Sequence, residues 1–140
     1  MLQHIIEDLK RRQAGIVGVA DASAQKMANE AKRKASWTDR TGNTRNAIHG
    51  RAAPYQGGAM LVLAHGSKVG MYHEEGTGIY GPKGKPITPV NAKVLHFKVD
   101  GQSVFTKSVK GIPKNPVLKN AAMSQLPELL KALEVHFGGR

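Results

Sequence analysis

The chain contains no cysteine, which removes disulfides, thiolate nucleophiles and thiolate metal sites at once. That absence fits assembly in a reducing cytosol. Aromatic residues are only 5% of the 140, so the core is expected to be aliphatic, and the length suits one domain. No run is apolar and long enough to span a bilayer. Glu7 and Asp8 interrupt residues 1–12, so no secretory leader is read there. Acids are also scarce: 10 Asp and Glu face 21 Lys and Arg, for a formal net charge of +11. Such a field favours a polyanionic partner. The bases gather in two sets, one around Lys26, Lys32, Arg33, Lys34, Arg40, Arg45 and Arg51. The other comprises Lys83, Lys85, Lys93, Lys98, Lys107, Lys110 and Lys114. Neither set has the interleaved aromatics of a base-stacking platform, so both read first as solvated faces.

What is present is a switch of apolar period from helical to strand-like and back. Residues 2 to about 35 form one amphipathic pattern, with Leu2, Ile5, Ile6, Leu9, Ile16, Val19, Ala20, Ala24, Met27 and Ala31 at three- and four-residue spacing. Gly15 and Gly18 weaken it, which suggests a bend or a close approach. The helix is too long for a small domain to cover, so Leu2, Ile5, Ile6 and Leu9 are expected at a subunit interface. A weak strand is read at 47–53, and the continuous apolar run 59–64 suits a central strand. Residues 94–99 alternate cleanly, Asp100-Gly101 signals a hairpin, and 103–109 is the returning strand. A two-residue loop would pair Phe97 with Val104, and a three-residue loop would pair it with Phe105.

Residues 66–93 hold six glycines and little periodicity, so a long functional loop is expected, mobile until a neighbour orders it. Asn115-Pro116 opens a last helix whose apolar face is Val117, Leu118, Ala121, Ala122, Leu126, Leu129, Leu130 and Leu133. Pro127 should kink or restart that helix, and residues 138–140 read as a frayed tail. The expected fold is therefore α+β: N-terminal and C-terminal helices on a three- to four-stranded, mainly antiparallel sheet.

Candidate chemistry is thin. Gly76-Thr77-Gly78-Ile79-Tyr80-Gly81 matches a dinucleotide fingerprint in letters, but Pro82, Gly84 and Pro86 follow where the phosphate-binding helix must start. Gly84-Lys85 precedes Pro86 instead of the hydroxyl residue of a phosphate-binding loop. His65, His73, Glu74 and Glu75 lack the helical His-Glu-x-x-His spacing of a zinc site. No enzyme, cofactor or metal is expected. Trp37, the lone tryptophan, is expected to pack the end of the first helix onto the sheet.

Three motifs carry a resemblance. Trp37-Thr38-Asp39-Arg40-Thr41-Gly42-Asn43-Thr44-Arg45-Asn46-Ala47-Ile48 is similar to a Pro-Val-Asp-Thr-Gly-x-Leu-Arg-x-Ser-Ile pattern, with Arg40 inserted, Thr44 for leucine and Ala47 for serine. Tyr72-His73-Glu74-Glu75-Gly76-Thr77 resembles a tyrosine followed by Glu-x-Gly-Thr. Gly111-Ile112-Pro113-Lys114-Asn115-Pro116-Val117-Leu118-Lys119-Asn120-Ala121 resembles a glycine and proline-bounded opening of the last helix, with Val117 where phenylalanine is common. In this order they resemble the head–tail joining or tail-completion proteins of tailed bacteriophages.

The resemblance implies an α+β virion subunit of the neck or tail end, assembled in the host cytoplasm. It implies a ring, six subunits favoured, around the DNA passage, meeting head-closure or connector and tail-tube proteins. Lys83 and Lys85 are then expected near passing DNA or an acidic partner, with weak non-specific contact to packaged DNA and none to membrane. The alternative is a small basic protein that binds nucleic acid without sequence preference.

Overall fold

The computed structural model describes residues 1–138. In chain order it has helix α1 (Leu2–Lys34), a helical turn α2 (Asn43–Asn46), strands β1 (Ile48–Tyr55) and β2 (Gly58–His65), and helix α3 (Lys68–Glu75). A 3-10 turn (Gly78–Tyr80), strands β3 (Leu95–Val99) and β4 (Gln102–Thr106), and helix α4 (Val117–Gly138) follow. The class is α+β, with long helices at both ends of the order. The chain divides into two compact units: Met1–Ser67 with the segment from Val117 onward, and Lys68–Pro116.

In the first unit, the second half of α1 buries a stripe of Ala20, Ser23, Ala24, Met27, Ala28, Glu30 and Ala31. Small residues let α4 and the β1–β2 hairpin approach closely, and the core is accordingly aliphatic: Ala28, Ala31, Ala35, Ile48, Val117 and Ala121, with Trp37, Leu63 and Leu118 packed against it. Trp37 thus ties the end of α1 to β1, as a lone tryptophan in an aromatic-poor chain should.

Helices α1 and α4 run antiparallel. Glu30 accepts from Ser124 Oγ at 2.7 Å and Gln125 Nε2 at 2.5 Å, while Gly15 lies against the His136 imidazole, where a β-carbon would collide. Neither glycine interrupts α1; Gly15 provides a close approach. Likewise α4 runs on through Pro127, whose ring leaves the Met123 carbonyl without its amide partner. Of the tail expected at 138–140, Gly138 closes α4, and residues 139 and 140 lie outside the described residues.

The expected single sheet of three or four strands is replaced by two separate two-stranded antiparallel sheets, β1–β2 and β3–β4. The reason is local. Gln56 (φ 45°) and Gly57 (φ 79°) form a two-residue turn, so the run expected to be a central strand folds straight back on its neighbour in sequence, pairing Tyr55 with Gly58 through to Ile48 with His65. The free edge of β1 is then occupied by α1: the Ala52 amide donates to Asp21 Oδ1 at 2.9 Å, and Gln25 Nε2 donates to the Gly50 carbonyl at 2.9 Å. Pro54 adds a position with no amide to offer. No further strand can join on that side.

In the second unit, Asp100 (φ 50°) and Gly101 (φ 84°) make the two-residue turn, which settles the register with Phe97 opposite Val104. The expectation of a structureless segment at 66–93 is corrected. It contains α3 and the 3-10 turn, and Ile87 exchanges both backbone hydrogen bonds with Val109 at 2.9 and 3.0 Å. Gly76 and Gly78 stand where backbone passes close by, and the segment is held by bonds that a periodicity reading cannot register.

Candidate assembly surfaces

Residues 37–48 form a tightly bonded turn that redirects the chain from α1 into β1. Asp39 Oδ2 accepts the Arg45 amide at 2.6 Å, and the Arg45 guanidinium donates through Nη2 to the carbonyls of Ala35 at 3.0 Å and Trp37 at 3.4 Å. Gly42 takes φ 74° at the start of α2. The Asp39 carboxyl lies below its ordinary value, chiefly because the Arg45 amide donates to it, with the amides of Gly42 and Thr41 adding to the effect. These partners fix a corner, and the motif acts as scaffold.

The other two motifs meet inside the second unit. The Thr77 amide donates to the Ile112 carbonyl at 2.9 Å, the Ile112 amide to Thr77 Oγ1 at 2.8 Å, and the Ile79 amide to the Lys110 carbonyl at 2.8 Å. Gly78 (φ 61°) and Gly111 (φ 100°) sit at the crossing, where a β-carbon on Gly78 would strike the Lys110 carbonyl and one on Gly111 the Thr77 carbonyl. Below it, the Asn115 amide donates to the His73 carbonyl at 2.7 Å. The letters that imitate a nucleotide fingerprint therefore serve a backbone–backbone crossing.

That crossing forms one wall of a broad open groove of about 1030 Å³. Tyr72, Ile87, Phe97, Val109 and Ile112 give it an apolar lining, and Glu75, Lys83 and Lys85 supply charge. Lys83 and Lys85 are exposed and make no ion pair among the described residues.

On the first unit, the opposite kind of surface stands out. Gln13 donates to the Gly58 carbonyl at the tip of the β1–β2 hairpin at 3.2 Å, and Gly15 faces His136 near the end of α4. Among the described residues of this unit, both packing partners of α1 therefore stop near residue 13, and the helix continues past them for roughly 16 Å at 1.5 Å per residue. This overhang leaves Leu2 (71% exposed), Ile5 (51%), Ile6 (37%) and Leu9 (61%) uncovered. Leu126 and Leu130 of the apolar face read for α4 are also exposed, in line with Met123 and Phe137. Of that apolar face, Val117 and Ala121 are the residues buried in α4.

Leu2, Ile5, Ile6 and Leu9 thus share one stripe, and Lys83 and Lys85 share one groove. Sequence reasoning missed the groove lining of Tyr72, Ile87 and Phe97, although Ile87 between Pro86 and Thr88 is an isolated apolar residue in a polar stretch. It also missed the outer face of the β1–β2 hairpin, where Tyr55, Met60 and Val62 are about half exposed. Among the described residues no group of three His, Asp or Glu side chains is placed to hold a metal ion, and no helix is long and apolar enough to cross a membrane. No family model, curated protein or solved structure matches the chain.

Proposed function

We propose that this chain is a structural virion subunit of the phage neck or tail end, which closes with copies of itself into a ring, six subunits favoured, that joins or completes the tail at the DNA-filled head. The order of the three motifs along the sequence supports the family reading. The observation that carries the assembly reading is the overhang of α1 with Leu2, Ile5, Ile6 and Leu9 uncovered. A short isolated stretch of helix is marginal in water, so a three-turn apolar overhang calls for a partner. The test is negative-stain electron microscopy with mass measurement of the purified protein, followed by mixing with tail-less heads and free tails. Closed rings that restore joining are the expected result, and a protein that stays monomeric and does not affect joining would refute it.

The basic balance of Lys68–Pro116, with eight lysines against Glu74, Glu75 and Asp100, favours a second reading. That reading is a small protein that binds nucleic acid without sequence preference. Tight binding at physiological salt without rings would favour it over the neck subunit.

A further inference from the structure

The β1–β2 sheet has one edge closed and one edge open. Alternate residues of an antiparallel pair turn their amides and carbonyls away from the neighbouring strand, and the turn at residues 56 and 57 fixes which ones do so here. On β1 they include Gly50 and Ala52, whose outward groups are taken by Gln25 and Asp21 of α1. Their register partners Leu63 and Leu61, with Ala59 opposite Pro54, are the outward residues of β2. Among the described residues the amides and carbonyls of Ala59, Leu61 and Leu63 on that side make no hydrogen bond.

Open edges are normally guarded by charge, proline or a bulge. Strand β2 reads Gly58-Ala59-Met60-Leu61-Val62-Leu63-Ala64-His65, without Lys, Arg, Asp, Glu or Pro, in a chain of formal net charge +11. By contrast β1 carries Arg51 and Pro54, and β3 carries Lys98. Two copies of this basic chain can therefore lie side by side along β2 without like charges meeting there, whereas an acidic partner would find no cation on that strand.

We propose that β2 of one copy pairs antiparallel with β2 of a second, about a two-fold axis at Leu61, making one four-stranded sheet in the order β1-β2-β2-β1. Leu61 faces Leu61 of the second copy, and Ala59 faces its Leu63, so every outward amide meets an outward carbonyl. The same register sets Met60 against Val62 of the second copy on the outer face, in the closer, non-hydrogen-bonded positions. Those side chains are 46% and 45% exposed in the single chain. A two-stranded sheet is marginal on its own, and two more strands with an apolar face relieve that. Because α1 occupies the far edge of β1, pairing stops at two copies and does not run on into a fibre. The contact uses none of Leu2, Ile5, Ile6 and Leu9, so it goes beyond the ring reading and is independent of it.

The natural absence of cysteine makes the register directly testable. Met60→Cys and Val62→Cys are made in separate chains, both at half-exposed positions of the outer face, and mixed under mild oxidation. Opposite positions lie about 4.5 Å apart at Cα, within disulfide reach, while like positions lie on a diagonal of about 7–8 Å. The mixed disulfide should therefore form faster than either variant links to itself. Hydrogen exchange of the unaltered protein gives a backbone readout. The Ala59, Leu61 and Leu63 amides should gain protection as concentration rises, while the Met60 and Val62 amides, already bonded to β1, stay protected throughout. Val62→Lys should weaken pairing roughly tenfold, since it sets like charges on one diagonal and removes apolar burial from both copies, and an equimolar mixture with Val62→Glu should restore it.

An Ile5→Asp/Ile6→Asp chain that forms pairs but no rings would uphold the contact and sink the ring. Rings whose Leu61 and Leu63 amides exchange equally fast at every concentration would overturn the contact and leave the ring reading intact. Self-linking of Met60→Cys or Val62→Cys as fast as the mixed link would overturn the two-fold at Leu61. A protein that stays monomeric at millimolar concentration would overturn both readings.

Discussion

Thr77 and Ile112 hold each other twice: the Thr77 amide donates to the Ile112 carbonyl at 2.9 Å, and Thr77 Oγ1 accepts the Ile112 amide at 2.8 Å. One residue, through its backbone and its side chain, joins two motifs that lie 35 positions apart in sequence. The groove wall depends on that clasp.

Removing the hydroxyl while keeping the shape should therefore loosen the second unit. Thr77→Val leaves the part-buried Ile112 amide without its acceptor and should cost about 1–3 kcal/mol, while Thr77→Ser should be nearly neutral. Gly111→Ala should cost more than Thr77→Ser, because φ 100° and the Thr77 carbonyl both oppose a β-carbon. Urea denaturation of the three variants checks the order. Equal midpoints for Thr77→Val and Thr77→Ser would show that the hydroxyl contributes nothing.

Glu30 predicts a pH dependence. Its carboxylate is buried between α1 and α4 and is held at about 2, from an ordinary 4.5, by Lys34 first and then by Ser124 and Gln125. The folded value is the depressed one, so the stabilisation is fully present above about pH 4.5 and disappears as pH falls toward 2. Glu30→Gln should lower stability at neutral pH by roughly 1–3 kcal/mol and converge on wild type in strong acid. Denaturation midpoints for both proteins across that range test it, and a difference independent of pH would contradict the charge-based account.

The overhang predicts a separation of assembly from folding. Ile5→Asp with Ile6→Asp alters side chains that are 51% and 37% exposed, so the unfolding free energy should move little, within about 1 kcal/mol. Ring formation should be lost. Mass measurement paired with thermal unfolding decides the point, and a double variant that unfolds would place these residues in the core of the isolated chain.

Nucleic acid should bind weakly and through charge alone. Titration with duplex DNA at low and physiological salt should give an affinity that falls steeply with salt and ignores sequence. Replacing both Lys83 and Lys85 by glutamine should flatten the salt dependence by about two charges if both face phosphate. An unchanged slope would direct attention away from the groove as the DNA-facing surface.

Much was legible in the sequence because it is local. The period of Leu2 to Ala31 gave a helix, Asp100-Gly101 demanded a hairpin, and the cysteine count excluded whole classes of chemistry. The exposed stripe on α1 was readable as well, since a helix of 33 residues exceeds what a small sheet can cover.

Tertiary structure alone decided which partners those elements took. That β2 folds back on β1 turned on two positive-φ residues at 56 and 57, and that the outer edge of β1 takes no strand turned on Asp21 and Gln25 occupying it, and neither feature alters hydrophobic period. The groove is equally non-local. Ile87 and Val109, and Thr77 and Ile112, meet through backbone hydrogen bonds across glycine crossings, and backbone groups are the same at every position of a sequence. Sequence by itself determined the elements and the charge. Three-dimensional packing determined where the helix α1 outruns its cover and where Lys83 and Lys85 stand together beside an apolar groove.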